Sequence, residues 1–110
     1  MAQYFPHYLT ATIASGQTVG VAFDTEKATL VGLQFPTMTG TTMTFQVSAD
    51  NTTYTALKDT AGASVSITIA STTAISIDRA VFQGWRWIKL VSGSAEGAAR
   101  SIIAVMRVFA

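Results

Sequence analysis

The sequence predicts an all-β fold, an antiparallel β-sandwich of about eight or nine strands. Apolar and polar residues alternate with period two through most of the chain, and Gly, Asp, Asn and Ser clusters recur roughly every eight to twelve residues. Long 3.6-residue periodicity is missing, which argues against alternating β and α units. With 110 residues the chain makes one domain, spanning 1–110, with an N-terminal arm over about residues 1–8.

Each element follows from its pattern. Residues 9–14 and 17–23 are weaker strands parted by Ser15-Gly16. Asp24-Thr25-Glu26-Lys27 forms a turn before the strand 29–35, in which Val31, Leu33 and Phe35 are expected to face the core, with Leu30, Gly32 and Gln34 opposite. Pro36 ends the ladder there, because it has no N–H to donate. The clearest strand is 41–48, with Met43, Phe45 and Val47 on one face and Thr42, Thr44, Gln46 and Ser48 on the other. After Ala49-Asp50-Asn51-Thr52 come strands at 53–57, at 64–70 with Val65, Ile67 and Ile69 inward, and at 73–77. One short helical turn is expected near 78–83: Asp78 caps it, Val81 and Phe82 plug the end of the sandwich, and Gly84 releases the chain. The last strands, 85–92 and 100–109, carry bulk on both faces, so a second face meets either the N-terminal arm or another subunit. A regular strand from Trp85 would put Trp85, Trp87 and Lys89 on one face.

Composition excludes several functions. Only 12% of residues are charged and 49% are hydrophobic, yet no apolar run approaches the roughly 18 to 20 residues of a membrane span. The stretch Met1 to His7 lacks the basic start and apolar block of a secretory signal. A formal net charge of +1 gives no basic patch for displacing counterions from nucleic acid. Cysteine is absent, which removes disulfides, thiol nucleophiles and cysteine metal sites. The few charges are sorted: residues 1–78 hold Lys27 and Lys58 against Asp24, Glu26, Asp50, Asp59 and Asp78, whereas the rest holds Arg79, Arg86, Lys89, Arg100 and Arg107 against Glu96. These halves can pair within the chain, or between copies or with an acidic surface.

Catalytic and metal-binding constellations are not found. His7 is the single histidine, placed beside Pro6 near the N-terminus, and a nucleophile–base–acid set would hang on that one base. The aspartates sit at turns, where Asp is favoured because it accepts from nearby backbone N–H groups. Asp50-Asn51-Thr52-Thr53 lacks the ligand series and glycine of a calcium loop, and no glycine loop cradles phosphate. No catalytic residue, metal or cofactor is therefore expected. Aromatic residues remain, since rings anchor interfaces and stack on sugars.

The chain resembles small virion proteins of tailed bacteriophages in segments 11–16, 28–36, 44–50, 53–59, 81–90 and 100–102. These include Leu33-Gln34-Phe35-Pro36, Phe45-Gln46-Val47-Ser48-Ala49-Asp50 and Gly84-Trp85-Arg86-Trp87-Ile88-Lys89-Leu90. The resemblance implies a jelly-roll-like sandwich and a non-enzymatic head decoration or cement protein. Such a protein is made in the host cytoplasm and sits on the outer capsid of the virion. Its implied partners are the major capsid protein and its own copies, as a homotrimer. The interface residues expected are Tyr4, Phe5, His7 and Tyr8 in the arm and Arg86, Trp87, Lys89 and Arg107 on the late strands. The middle and late strands are also similar to discoidin-like carbohydrate-binding sandwiches. That similarity implies an alternative, a tail or fibre module for a host glycan, with Trp85 or Trp87 stacking and Asp50, Asn51 and Asp59 hydrogen-bonding.

Overall fold

A computed structural model describes residues 6–108 of the chain. Nine strands and one helical turn run in the order β1 (Pro6–Ile13), β2 (Phe23–Asp24), β3 (Thr29–Gln34), β4 (Thr42–Ser48), β5 (Thr55–Ala56), β6 (Ile67–Thr68), β7 (Ala74–Ser76), α1 (Arg79–Phe82), β8 (Trp87–Ser92) and β9 (Arg100–Arg107). The strands form two antiparallel sheets. Sheet A has the order β1-β9-β3-β7, and sheet B the order β2-β8-β4-β5, with β6 also paired to β4.

The topology follows from one long antiparallel ribbon. Its pairs are β1 with β9, β2 with β8, β3 with β7, and β4 with β5 and β6. Rolling that ribbon brings β3 beside β9 and β4 beside β8, and the result is a jelly roll, as expected. β5 and β6 act as a single edge strand interrupted by an excursion, since Leu57 N donates to Phe45 O, Val65 N to Leu57 O, and Lys58 bridges to Ser64. Asp59 closes that excursion by accepting from the N–H groups of Ala61 and Ala63.

Between the sheets lies the core that alternation selects. Met43, Phe45 and Val47 of β4 meet Ile88 and Leu90 of β8, and across from them stand Ile13, Leu33, Ile102, Ala104 and Met106 of sheet A. Phe82 seals one end, its ring edge-on to Phe45 at 4.8 Å between centroids. Asp78 caps α1 by accepting from Ala80 N, and Gly84 turns the chain with φ +95°.

Four sequence expectations are corrected. In β3 the register slips between Leu30 and Gly32, so Val31 is the extra residue of a bulge. The bulge inverts the parity ahead of it: Leu30 is buried with Leu33, and Val31 is only half-buried. The strands near the edges are shorter than the pattern suggests, because β5, β6 and β7 have one partner each and turns consume their ends. β1 starts at Pro6, opposite Arg107, so residues 6–8 belong to a strand rather than to an arm. β8 starts at Trp87, and Trp85 stands in the bend that Gly84 creates.

At the end opposite α1, the loops converge on Glu96, which is 1% exposed. Its carboxylate accepts from Thr39 N (2.8 Å), Gly40 N (3.0 Å), Ser92 Oγ (2.7 Å) and Arg100 Nε (3.0 Å). Its backbone ties in the β1–β2 connection, since Gly16 N donates to Glu96 O and Glu96 N donates to Gln17 O. Gly40 has no room for a side chain: a Cβ there would collide with Ser92 Oγ and stand 3.2 Å from Glu96 Oε2.

Burial alone would raise the Glu96 pKa, but the donors from Thr39, Ser92, Gly40 and Arg100 outweigh it and hold the carboxyl at about 2. Because the folded pKa is depressed, the contribution is complete above the ordinary glutamate value, about 4.3, and is lost as pH falls through about 2. Glu96→Ala is expected to cost about 3–5 kcal/mol in urea denaturation, since it strands the buried donors of Gly40 and Ser92, the partly buried Thr39 N–H and the Arg100 guanidinium. Unfolding free energy of the native chain should fall between pH ~4.5 and ~2, and Glu96→Gln should flatten that part of the profile.

Candidate functional site

Strand parity distributes the exposed side chains over two opposite faces. On the outer face of sheet B, β8 contributes Trp87, Lys89 and Val91, while Ile88 and Leu90 point into the core. Asp24 lies opposite Trp87 on β2, and Gln46 lies opposite Lys89 on β4. Arg86 makes a two-pronged pair with Asp24, Nε to Oδ1 at 2.8 Å and Nη2 to Oδ2 at 2.9 Å. Its guanidinium carbon is 5.2 Å from the Trp87 ring centroid. Lys89 Nζ stands 4.1 Å over the ring of Tyr54, whose hydroxyl donates to Asn51 Oδ1. The face is therefore a strip of cations seated on aromatic rings.

Its electrostatics follow from these contacts. The hydrogen bonds from Arg86 hold the Asp24 carboxyl below the ordinary range and, reciprocally, Asp24 raises the Arg86 pKa. Partial burial raises the Tyr54 pKa, with the negative charges of Asp50 and Asp24 adding to it. Asp50 is brought to about 2 by the N–H groups of Thr53 and Thr52 and the hydroxyl of Ser48.

The outer face of sheet A has another character. Tyr8 of β1, 65% exposed, lies opposite Val105, which in turn lies opposite Gly32. The next row across the sheet is Thr10, Ile103, Gln34 and Ala74. Among the described residues of this face, charge appears only at one margin, where Arg107 lies opposite Thr29 and Pro6. This is a neutral surface of Tyr, Val, Ile, Thr and small residues.

The interface residues expected from sequence thus divide. Arg86, Trp87 and Lys89 are together on or beside the outer face of sheet B, and Tyr8 and Arg107 are on that of sheet A. His7 has its backbone in β1 opposite Met106, but its side chain, with Tyr4 and Phe5, lies outside the described residues.

The glycan set divides as well. Asp50 and Asn51 come close to the Trp87 end of β8, but the Asp50 carboxylate is occupied by its own turn and Asn51 Oδ1 by Tyr54. Asp59 caps the separate 59–63 turn. Trp85 and Trp87 do not share a regular strand face.

Sequence reasoning missed two residues. Glu96 was visible only as a lone acid in a loop of small residues, four positions before Arg100. Thr25, which the sequence places in a turn, is buried; its single Oγ1–H is shared between the carbonyls of Trp85 (3.1 Å) and Arg86 (3.0 Å) and fixes the bend that carries them. Among the described residues, no group of three or more His, Asp and Glu is placed to hold a metal ion, and no helix is long and apolar enough to cross a membrane. One face presents cation–aromatic contacts and the other apolar side chains.

No family model and no curated protein sequence matches the chain. Among solved structures, the fold is similar to that of SPBc2 prophage-derived protein YomS, with a TM-score of 0.63 and 13% sequence identity over 97% of this chain and 96% of that one. At that identity the likeness shows a shared fold across almost the whole of both chains.

Proposed function

We propose that the protein is a non-enzymatic structural component of a tailed-phage particle, a decoration or cement protein that binds the outer capsid and its own copies. In this reading it assembles as a homotrimer on the virion and resists internal pressure by bridging subunits of the major capsid protein. One observation carries it: the sandwich presents two opposite, rigid faces of different chemistry, and a bridging protein must hold at least two neighbours. The phage resemblance of the sequence and the prophage origin of the similarly folded protein accord with it.

The two faces divide the work by their charge. Sheet A's face, almost uncharged, can meet a second copy with little like-charge repulsion, and burying its apolar atoms contributes roughly 25 cal/mol per Å². Sheet B's face offers Arg86 and Lys89 over aromatic rings, and its rings suit the centre of an interface with a different protein. The low charge of the chain is then a property of surfaces that another subunit covers.

Sedimentation analysis and co-sedimentation with phage heads lacking the protein test the reading. The native chain should run as a trimer and pellet with the heads. Trp87→Ala combined with Lys89→Ala should weaken head binding ten-fold or more and leave the trimer intact, whereas Tyr8→Ser with Ile103→Ser should dissociate the trimer. A monomer with no affinity for heads would dispose of the proposal.

A further inference from the structure

A cleft of about 460 Å³ opens at the α1 end of the sandwich, between the 25–29 turn and the 83–86 bend. Its walls include Glu26, Lys27, Gln83 and Trp85. That volume lies within the range of small-ligand sites, about 300–1,000 Å³.

Both walls are built rather than loose. Asp24 Oδ1 accepts from Glu26 N, and Ala28 N donates to Thr25 O, which closes the turn with Glu26 at φ +52°. Trp85 N donates to Phe82 O, Thr25 N donates to Arg86 O, and the Thr25 hydroxyl holds the carbonyls of Trp85 and Arg86. This large aromatic side chain nevertheless remains 36% exposed. An aromatic ring kept accessible on a pinned backbone loses little entropy when a ligand stacks on it.

The lining chemistry narrows the ligand. Glu26 and Lys27 balance in charge, and Arg86 is neutralised by its two bonds to Asp24, so the cleft does not select an anion. Besides Trp85 the lining includes a carboxylate that accepts, an ammonium that donates and an amide that does both. A neutral ring compound with apolar C–H faces and equatorial hydroxyls satisfies all of these together.

We infer that this cleft binds a neutral saccharide of one or two hexose rings, stacked on Trp85 and hydrogen-bonded by Glu26, Lys27 and Gln83. The site differs from the set expected from sequence: it uses Trp85 without Trp87, Asp50, Asn51 or Asp59. It does not depend on the capsid reading, since a head-binding protein can carry or lack it.

Saturation-transfer NMR on the full chain, with the methyl glycosides of glucose, galactose, mannose and N-acetylglucosamine and with maltose, lactose and chitobiose, tests the inference. Transfer to the ring C–H protons of at least one sugar is expected. Trp85→Ala should weaken that binding on the order of ten-fold or more, and Trp87→Ala should leave it unchanged. Thermal melts establish that each variant is folded. If Trp85→Ala does not fold, the exposed substitutions Gln83→Ala and Glu26→Gln carry the same expectation of weakened binding. Absence of transfer to all seven sugars overturns the inference, and so does binding that survives these cleft substitutions in folded protein.

Discussion

Four donors converge on the buried carboxylate of Glu96, and the arrangement of one whole end of the sandwich depends on that convergence. Thr39 and Gly40 belong to the β3–β4 connection, Ser92 to the end of β8 and Arg100 to the start of β9. Through the Glu96 backbone the β1–β2 connection joins them. Three crossovers between the sheets are therefore held by one residue. A buried carboxylate is tolerable only when its charge and lone pairs are answered, and here two backbone amides, a hydroxyl and a guanidinium answer them. Gly40 makes the approach possible, because any Cβ would occupy the space that Ser92 Oγ needs. The Arg100 guanidinium also reaches Thr39 Oγ1, which in turn accepts from Gly97 N, so the network closes on itself.

The other end is held differently. There Phe82 fills the opening against Phe45, while Thr25 and Asp24 fasten the bend that carries Trp85 and Arg86. In the Glu96 network the polar side chains spend their hydrogen bonds on one another, and little is left to offer a ligand. At the α1 end the fastening comes from backbone groups, the buried Thr25 and Phe82, and the Asp24–Arg86 pair, and Trp85 stays accessible.

Legibility from sequence followed partner number. β4 lies between β8 and the β5–β6 edge with one face inward, and its alternation of Met43, Phe45 and Val47 against threonines was readable in full. β3 is equally central, but its bulge after Leu30 exchanged the faces of Leu30 and Val31. The run Thr29-Leu30-Val31-Gly32-Leu33 is apolar in either phase, so periodicity had no means of choosing. Edge strands were overextended because the pattern reports side-chain preference and not the supply of backbone partners. For the same reason the pattern extends a regular strand back to Trp85, although Gly84 before it is the residue that turns the chain. Glu96 was the largest omission: its significance lies in loops 56 and 57 residues earlier in the chain, and a single acid carries no local pattern.

Low charge can now be located. Of the described acidic residues, Glu96 is buried, Asp24 is paired with Arg86, and Asp50, Asp59 and Asp78 accept from their own turns or cap. Acidic side chains in this protein thus serve mainly to shape loops. The pair that joins the acidic and basic parts of the sequence, Asp24 with Arg86, is made within the chain, and it ties β2 to the bend before β8. Sorting of charge along the sequence therefore does not by itself require contact between copies. Under the proposed reading the surface left for a partner is that of sheet A, whose outer face combines an exposed Tyr8 with Ile103 and Val105 and, among the described residues, carries charge at Arg107. A solvated sheet face ordinarily alternates to polar side chains. Here β9 alternates to isoleucine and valine, and covering that face would remove from water the apolar atoms that composition alone leaves unexplained.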